Sequence, residues 1–372
     1  MPLSPGLRDA VTPAAATFER ATIVGGGRVA AAKPITLQPL ATAIALVLDA
    51  AMALVFWSTL RALRHGGQRW LVRTIATIGL VLAPLAVVHH LAIVPALDGL
   101  WPVIRRDLRP WGPFVSRNDF AGWMVLAAAL TLGYLVARLE AHHHDGESLD
   151  VDRAFDSTGT RLAAALCVMF GGVMLSLSRS GALGVVVGLA VLFLVGRSRL
   201  APNRRRGLAV LVVGLVVAGA LFANVSALSA RLQMAMSEGM TGRWSIWTQT
   251  WPVVEDFWRV GTGVGAYARA MTLYQTSIRL ITIAHADNEL LQIAAEGGLL
   301  VGVPVALLLV ALTMTIAKRL REDRTRMFWM RAGAASGLAA IAAQNMVEMT
   351  LRVPATGLLA VVVAAIAVHE RT

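Results

Sequence analysis

The run Leu299-Leu300-Val301-Gly302-Val303-Pro304-Val305-Ala306-Leu307-Leu308-Leu309-Val310-Ala311-Leu312 decides the class of fold. It lies inside the stretch 289–317, where no charged residue follows Glu296 before Lys318. A helix on the surface of a soluble domain would show a polar face, whereas ~20 uniformly apolar residues suit the hydrocarbon of a bilayer. Backbone polar groups there must be paired within the chain, and long runs of Leu, Val and Ala achieve this as helices rather than barrel strands. Working outward with ~17–25 residues per span gives about nine apolar segments. They are 40–60, 71–96, 119–137, 160–177, 181–196, 207–224, 289–317, 331–350 and 353–368. The expected fold is therefore all-α, a polytopic membrane helix bundle. The stretch 1–38, rich in Ala, Gly and Pro, reads as a flexible N-terminal segment ahead of a transmembrane domain over 39–372.

Composition agrees. Hydrophobic residues make up 56% of the chain and charged residues only 15%, with a mean hydropathy of +0.65. Soluble domains carry about a quarter charged residues. The net charge of +12 and the pI near 11.3 would suggest nucleic acid in a soluble protein. Here the basic residues sit in short loops between apolar runs, so nucleic acid is set aside and membrane lipid is the expected surround. Arg61, Arg64 and Arg69 occupy one such loop. Arg197, Arg199, Arg204, Arg205 and Arg206 occupy another, and Lys318, Arg319, Arg321, Arg324, Arg326 and Arg331 a third. All three fall on one side of a nine-span count, and the positive-inside rule makes that side cytoplasmic. Segments 97–118, 178–180 and 225–288 then face outward, the last as a large helical extracytoplasmic loop. The same count puts the N-terminus outside. The lone cysteine, Cys167, excludes a disulfide within the chain and a cysteine-based metal site.

The outward segments hold the residues suited to chemistry. Arg179 lies in Ser178-Arg179-Ser180-Gly181, a turn between two apolar runs. A charge at that boundary is costly unless paired or solvated, and the small neighbours leave room for a ligand; an arginine reaching to the interface is the plainer reading. Arg243 opens Gly242-Arg243-Trp244-Ser245-Ile246-Trp247, with Trp251 and Trp258 further on. The tryptophans suit an interfacial amphipathic helix. A cation at a helix start opposes the helix dipole, so an anionic ligand is the better explanation for Arg243. The third stretch is Ala284-His285-Ala286-Asp287-Asn288-Glu289-Leu290-Leu291-Gln292, followed by Glu296-Gly297-Gly298. His285 or Asp287 could serve there as a general base, and Asp287 or Asn288 as a helix N-cap.

In order, these stretches resemble the O-antigen ligase and polymerase family. Ser116-Arg117-Asn118-Asp119-Phe120-Ala121-Gly122 looks like the family motif that opens a central span. The Ser178–Gly181 turn, the Gly-Arg-Trp start and the Asp-Asn-Glu-Leu-Leu-Gln segment resemble later motifs, as does Glu348 ahead of Pro354. The resemblance covers roughly residues 60 to 370 and suits a short member of the family. It implies a membrane glycosyltransferase of the GT-C type, working without metal or other cofactor in the bacterial inner membrane with its active site facing the periplasm. The donor would be a glycan on undecaprenyl diphosphate, and the acceptor a hydroxyl of lipid A-core or of another polysaccharide unit. Arg179 and Arg243 would stabilise the departing diphosphate, since arginine offers planar paired donors. Arg117, Asn118, Ser178, Asn288 and Glu348 would line the substrate site. Relatives carry His directly before the Asn, where this chain has Asp287, and Asp where it has Glu348. Whether His285 or Asp287 takes the acceptor proton stays open at this level. A transporter or flippase of lipid-linked glycan is the alternative; it calls for ionisable residues buried mid-span and for broken helices in paired halves.

Three other patterns are discounted. Asp150-Val151-Asp152 has the spelling of a metal-dependent sugar-nucleotide site but no α/β domain around it. Gly261-Thr262-Gly263-Val264-Gly265 lacks the flanking strand and helix of a dinucleotide site and reads as a turn. His142–His144 with Asp145 reads as a solvated loop.

Overall fold

The computed structural model of the chain describes residues 2–3, 5–22, 33–91, 110–141, 156–199, 242–276, 283–325 and 327–370. It is helical apart from a two-residue antiparallel ladder joining Pro2–Leu3 to Lys33–Pro34. The helices are α1 (Pro5–Val11), α2 (Pro13–Thr22), α3 (Pro39–Arg64), α4 (Gln68–Leu91), α5 (Arg117–Ala141), α6 (Ser157–Leu175) and α7 (Arg179–Gly196). They continue with α8 (242–256), α9 (Tyr267–Tyr274), α10 (Glu289–Glu322), α11 (Met327–Gln344) and α12 (Pro354–Val368). Every expected apolar segment except 207–224, which lies outside the described residues, overlaps a helix among the described residues. Six of the described helices, α3 to α7 and α10, are long and apolar enough to cross a membrane. The expected count of about nine is thus met only in part: α11 is less apolar, and α12 has 15 residues.

The chain divides into two compact units. One comprises Met52–Leu228, Met314–Asn345 and Thr350–Thr372, and the other Met1–Ala51, Ser229–Thr313 and Met346–Met349. In the first unit α11 is the hub, packed chiefly against α5 and α7, with α4 against α6 and α12 against α11. Without a hydrophobic drive between helices in lipid, small residues let backbones approach. A Cβ on Gly133 of α5 would lie 2.4 Å from the Trp329 carbonyl oxygen, and one on Gly333 of α11 would lie 2.7 Å from that of Ala129. The low apolarity of α11 has the same origin, because it faces other helices rather than lipid. Met327–Gln344 also corrects the expected span 331–350. Arg331, assigned from sequence to a basic loop, is buried inside the helix, where it pairs with Asp323 and donates to the His369 carbonyl oxygen at 2.7 Å. The helix stops at Gln344 because Asn345 turns its side chain onto the backbone: Nδ2 donates to the Ile341 oxygen at 2.8 Å and Oδ1 accepts from Leu351 N–H at 3.2 Å.

The second unit has its own apolar cluster, in which Phe18 of α2, Val253, Phe257, Tyr267, Met271 and Ala295 are buried. Two short helices, α1 and α2, form within the stretch read from sequence as flexible, and Phe18 anchors α2 to that cluster. The first half of α10 also belongs here. The helix is broken at Gly298, which has φ 51° and ψ −150°. The segment 257–263 binds the backbone groups that the break frees. Leu299 and Leu300 N–H donate to the oxygens of Trp258 and Arg259, while Thr262 and Gly263 N–H donate to those of Ala295 and Glu296. So close an approach requires Gly261, where a Cβ would lie 2.1 Å from the Glu296 oxygen.

Candidate active site

Each unit carries a polar cluster built from residues singled out in the sequence. In the α5–α7–α11 unit, Ser178 is the N-cap of α7: its Oγ accepts from Gly181 N–H at 3.1 Å. The same hydroxyl donates to Asn118 Oδ1 at 2.8 Å, which joins two stretches sixty residues apart. Asn118 N–H in turn donates to Ser116 Oγ at 3.0 Å, and Gln344 Nε2 donates to the Asn118 carbonyl oxygen at 2.9 Å. The turn between α6 and α7 is as tight as expected. Leu177 takes a left-handed φ of 51°, and Ser178 N–H is held by Ser176 Oγ at 3.2 Å. Arg117 and Arg179 open α5 and α7, and both side chains are exposed.

The other cluster lies in the unit with α8, α9 and the start of α10. Arg243, at the N-terminus of α8, pairs through Nη2 with Glu348, in the loop after α11. The anion expected beside this arginine is therefore supplied by the chain itself. Both side chains are partly buried, 25% and 12% exposed. Asp287 lies within electrostatic reach of Arg243 and His285, and burial raises its carboxyl above the ordinary range while those two groups oppose the rise. His285 is exposed. Asp287 has a left-handed φ of 49°, a conformation that Asp tolerates better than most residues. Asn288 caps α10, with Oδ1 accepting from Leu291 N–H at 3.0 Å. Of the two N-cap candidates it is Asn288 that caps, and the Asp287 carboxylate is not used that way.

Sequence reasoning missed the support behind this cluster. Trp247 of α8 donates its indole N–H to the Ala286 carbonyl oxygen at 2.9 Å, and Ala286 N–H donates to Gln292 Oε1 at 2.7 Å. Gln292 Nε2 donates to Glu296 Oε1 at 3.0 Å, and that oxygen also accepts from Tyr267 N–H at 3.3 Å. Gln292 and Glu296 were visible as parts of a motif, but their burial at a helix start, which marks this role, is seen only in the structure. Among the described residues no group of three or more His, Cys, Asp or Glu side chains could hold a metal. His142–His144 and the Asp150–Asp152 pattern lie outside the described residues.

Apolar helices of membrane-spanning length, with charged clusters at helix starts, define a multi-pass membrane protein with a polar site at helix ends. Residues 164–306 match the family model described as O-Antigen ligase, the family that the sequence motifs resemble. The match contains Ser178, Arg179, Arg243, His285, Asp287 and Asn288. Asn118 and Glu348 lie beyond it, yet each is bonded to a residue inside it. A search of curated proteins finds no match.

Proposed function

We propose that the chain is an inverting membrane glycosyltransferase that moves a glycan from undecaprenyl diphosphate to an acceptor hydroxyl, as an O-antigen ligase or a surface polysaccharide polymerase. One observation carries the reading. Arg243, Asp287 and Glu348, from three separate stretches, form one charged cluster with His285 and Asn288 beside Asp287. Asp287 is the better base, because it is part-buried beside Arg243 with its carboxyl raised by burial, while His285 lies in water. The carboxylate takes the proton of the acceptor hydroxyl as its oxygen attacks the anomeric carbon. The bond from that carbon to the diphosphate breaks, and the diphosphate leaves with the electron pair. Arg243 carries more N–H donors than Glu348 can occupy, which leaves some for the departing phosphates. Arg179, with Arg117, Asn118 and Ser178, is assigned as a binding surface for the phosphorylated lipid. Lipid A-core or a growing polysaccharide is the acceptor.

The basic loops support an outward-facing Asn118–Ser178 cluster. Gln68 Nε2 lies 3.0 Å from His369 Nε2, Arg199 donates to the Asp323 oxygen at 2.8 Å, and Arg319 pairs with Glu370 at 2.7 Å. These bonds draw the described residues of the three basic loops to one end of their unit. The Asn118–Ser178 bond lies at the other end of α5, a helix some 35 Å long at ~1.5 Å per residue. With the basic end cytoplasmic, the Asn118 end faces out. The break in α10 would suit a transporter, but its freed backbone groups are bound by 257–263 rather than offered to a ligand. Purified protein in nanodiscs, supplied with polyprenyl diphosphate-linked glycan and acceptor, should release polyprenyl diphosphate and glycosylated acceptor. Movement of intact donor between leaflets of a proteoliposome, without product, would refute the enzyme reading.

A further inference from the structure

We propose that Gln292 and Trp247 are positioning residues that hold the Ala286 peptide and thereby aim Asp287 at the acceptor. This rests on the reading of Asp287 as the base. Both backbone polar atoms of the residue before Asp287 are taken by side chains from two different helices. Trp247 of α8 binds the Ala286 oxygen at 2.9 Å, and Gln292 of α10 binds its N–H at 2.7 Å. The amide of Gln292 cannot be reversed. A flipped amide would set its NH2 against the Ala286 N–H and its oxygen against the Glu296 carboxylate, two repulsive contacts in place of two bonds. Glu296 is fixed in turn by Tyr267 N–H.

Packing alone does not call for this chain. Gln292 and Glu296 are 0% and 2% exposed beside Ala286 and Ala295, where apolar side chains would fill the space without desolvating polar groups. What the chain secures is direction. Asp287 sits in a sparsely populated backbone conformation, and such conformations persist where the surroundings over-determine them. The charged and titratable groups that face Asp287 are Arg243 from α8, His285 from its own segment and Tyr267 from α9, with Glu348 behind Arg243. Burial pushes the Tyr267 phenol up to about 12, so it stays neutral across the working range. Releasing the Ala286 peptide would let Asp287 turn toward water and shed the burial that raises its carboxyl.

The test uses full-length protein in nanodiscs with Gln292→Met, which keeps the shape and loses both bonds, and Trp247→Phe, which loses only the indole donor. Hydrogen–deuterium exchange across 283–288 should rise in Gln292→Met, because the Ala286 amide loses its acceptor. For both variants kcat should fall by roughly 10- to 100-fold, the scale of misplacing a reacting group by about an ångström. KM should stay within about twofold. The acidic limb of kcat should move to lower pH. Unchanged exchange would show that Gln292 does not hold Ala286. Raised exchange with wild-type kcat and an unmoved limb would reduce the pair to a structural role. Full turnover by Asp287→Asn would remove the base itself, and the positioning claim with it, while leaving the exchange result standing. Should Gln292→Met fail to fold, Trp247→Phe carries the same comparison of kcat and pH limb.

Discussion

Arg243, at the start of α8, is paired with Glu348, 105 positions further along the chain. A helix N-terminus repels a cation, so an arginine there needs an anion, and Glu348 supplies one that leaves other guanidinium donors available.

The first expectation concerns that pair. Arg243→Ala should lower kcat by about two to three orders of magnitude, as removal of a preorganised donor at a developing anion does elsewhere. Arg243→Lys keeps the charge but not the planar fork, so it should recover only part of the loss. Glu348→Gln should cost less than Arg243→Ala, because the amide oxygen can still accept from the guanidinium. Steady-state transfer rates on folded, monodisperse protein decide the order.

The second concerns pH. Burial raises the Asp287 carboxyl, against the pull of Arg243 and His285. With Asp287 as the proposed base, transfer would need the carboxylate, so kcat should fall as pH drops through a value above the usual ~4 for a carboxyl. The sign for stability is opposite to that of a salt-bridged carboxylate. A raised carboxyl weakens the native state above its folded pKa, and the cost vanishes once pH lies below the unfolded value. Asp287→Asn should therefore be at least as stable as wild type at pH 8, with the difference closing toward acid. Thermal unfolding at several pH values measures this.

A third expectation follows from the Ser178–Asn118 bond. Ser178→Ala removes the N-cap of α7 and the acceptor-bound hydroxyl together, and should cost about 1 kcal/mol for the cap alone. Asn118→Ala leaves the cap in place and should cost less. Denaturation of the two variants in one detergent compares them directly.

The crossing of α5 and α11 gives a fourth. Gly133→Leu would drive a side chain into the Trp329 carbonyl and the backbone of Gly333, so the helices must separate. Overpacking of this kind costs at least ~1–3 kcal/mol, and folded yield should collapse. Gly171→Leu, where a Cβ meets nothing within 4 Å, is the matched control and should fold.

The apolar runs were legible because lipid imposes one pattern on any helix that faces it. Where a helix faces protein instead, the pattern fades: α11 carries Arg331, Ser336 and Gln344 inside the bundle, and its ends were misplaced in consequence. The break at Gly298 left no trace in hydropathy, because hydropathy does not register backbone dihedrals. Arg179, Arg243 and Asp287 were legible as charges at membrane boundaries. Their partners were not, since Glu348 meets Arg243 across more than a hundred residues and Asn118 meets Ser178 across sixty. The proposed preference for Asp287 over His285 draws on burial, which sequence spacing does not carry.

The most direct measurement is single-turnover transfer by Asp287→Asn, run beside wild type with saturating lipid-linked donor. The variant should bind donor as wild type does, show unchanged or higher thermal stability at pH 8, and form product at least a hundredfold more slowly, as loss of a general base does. Product formation at the wild-type rate would show that the acceptor proton goes elsewhere and would contradict the assignment of this cluster as the catalytic centre.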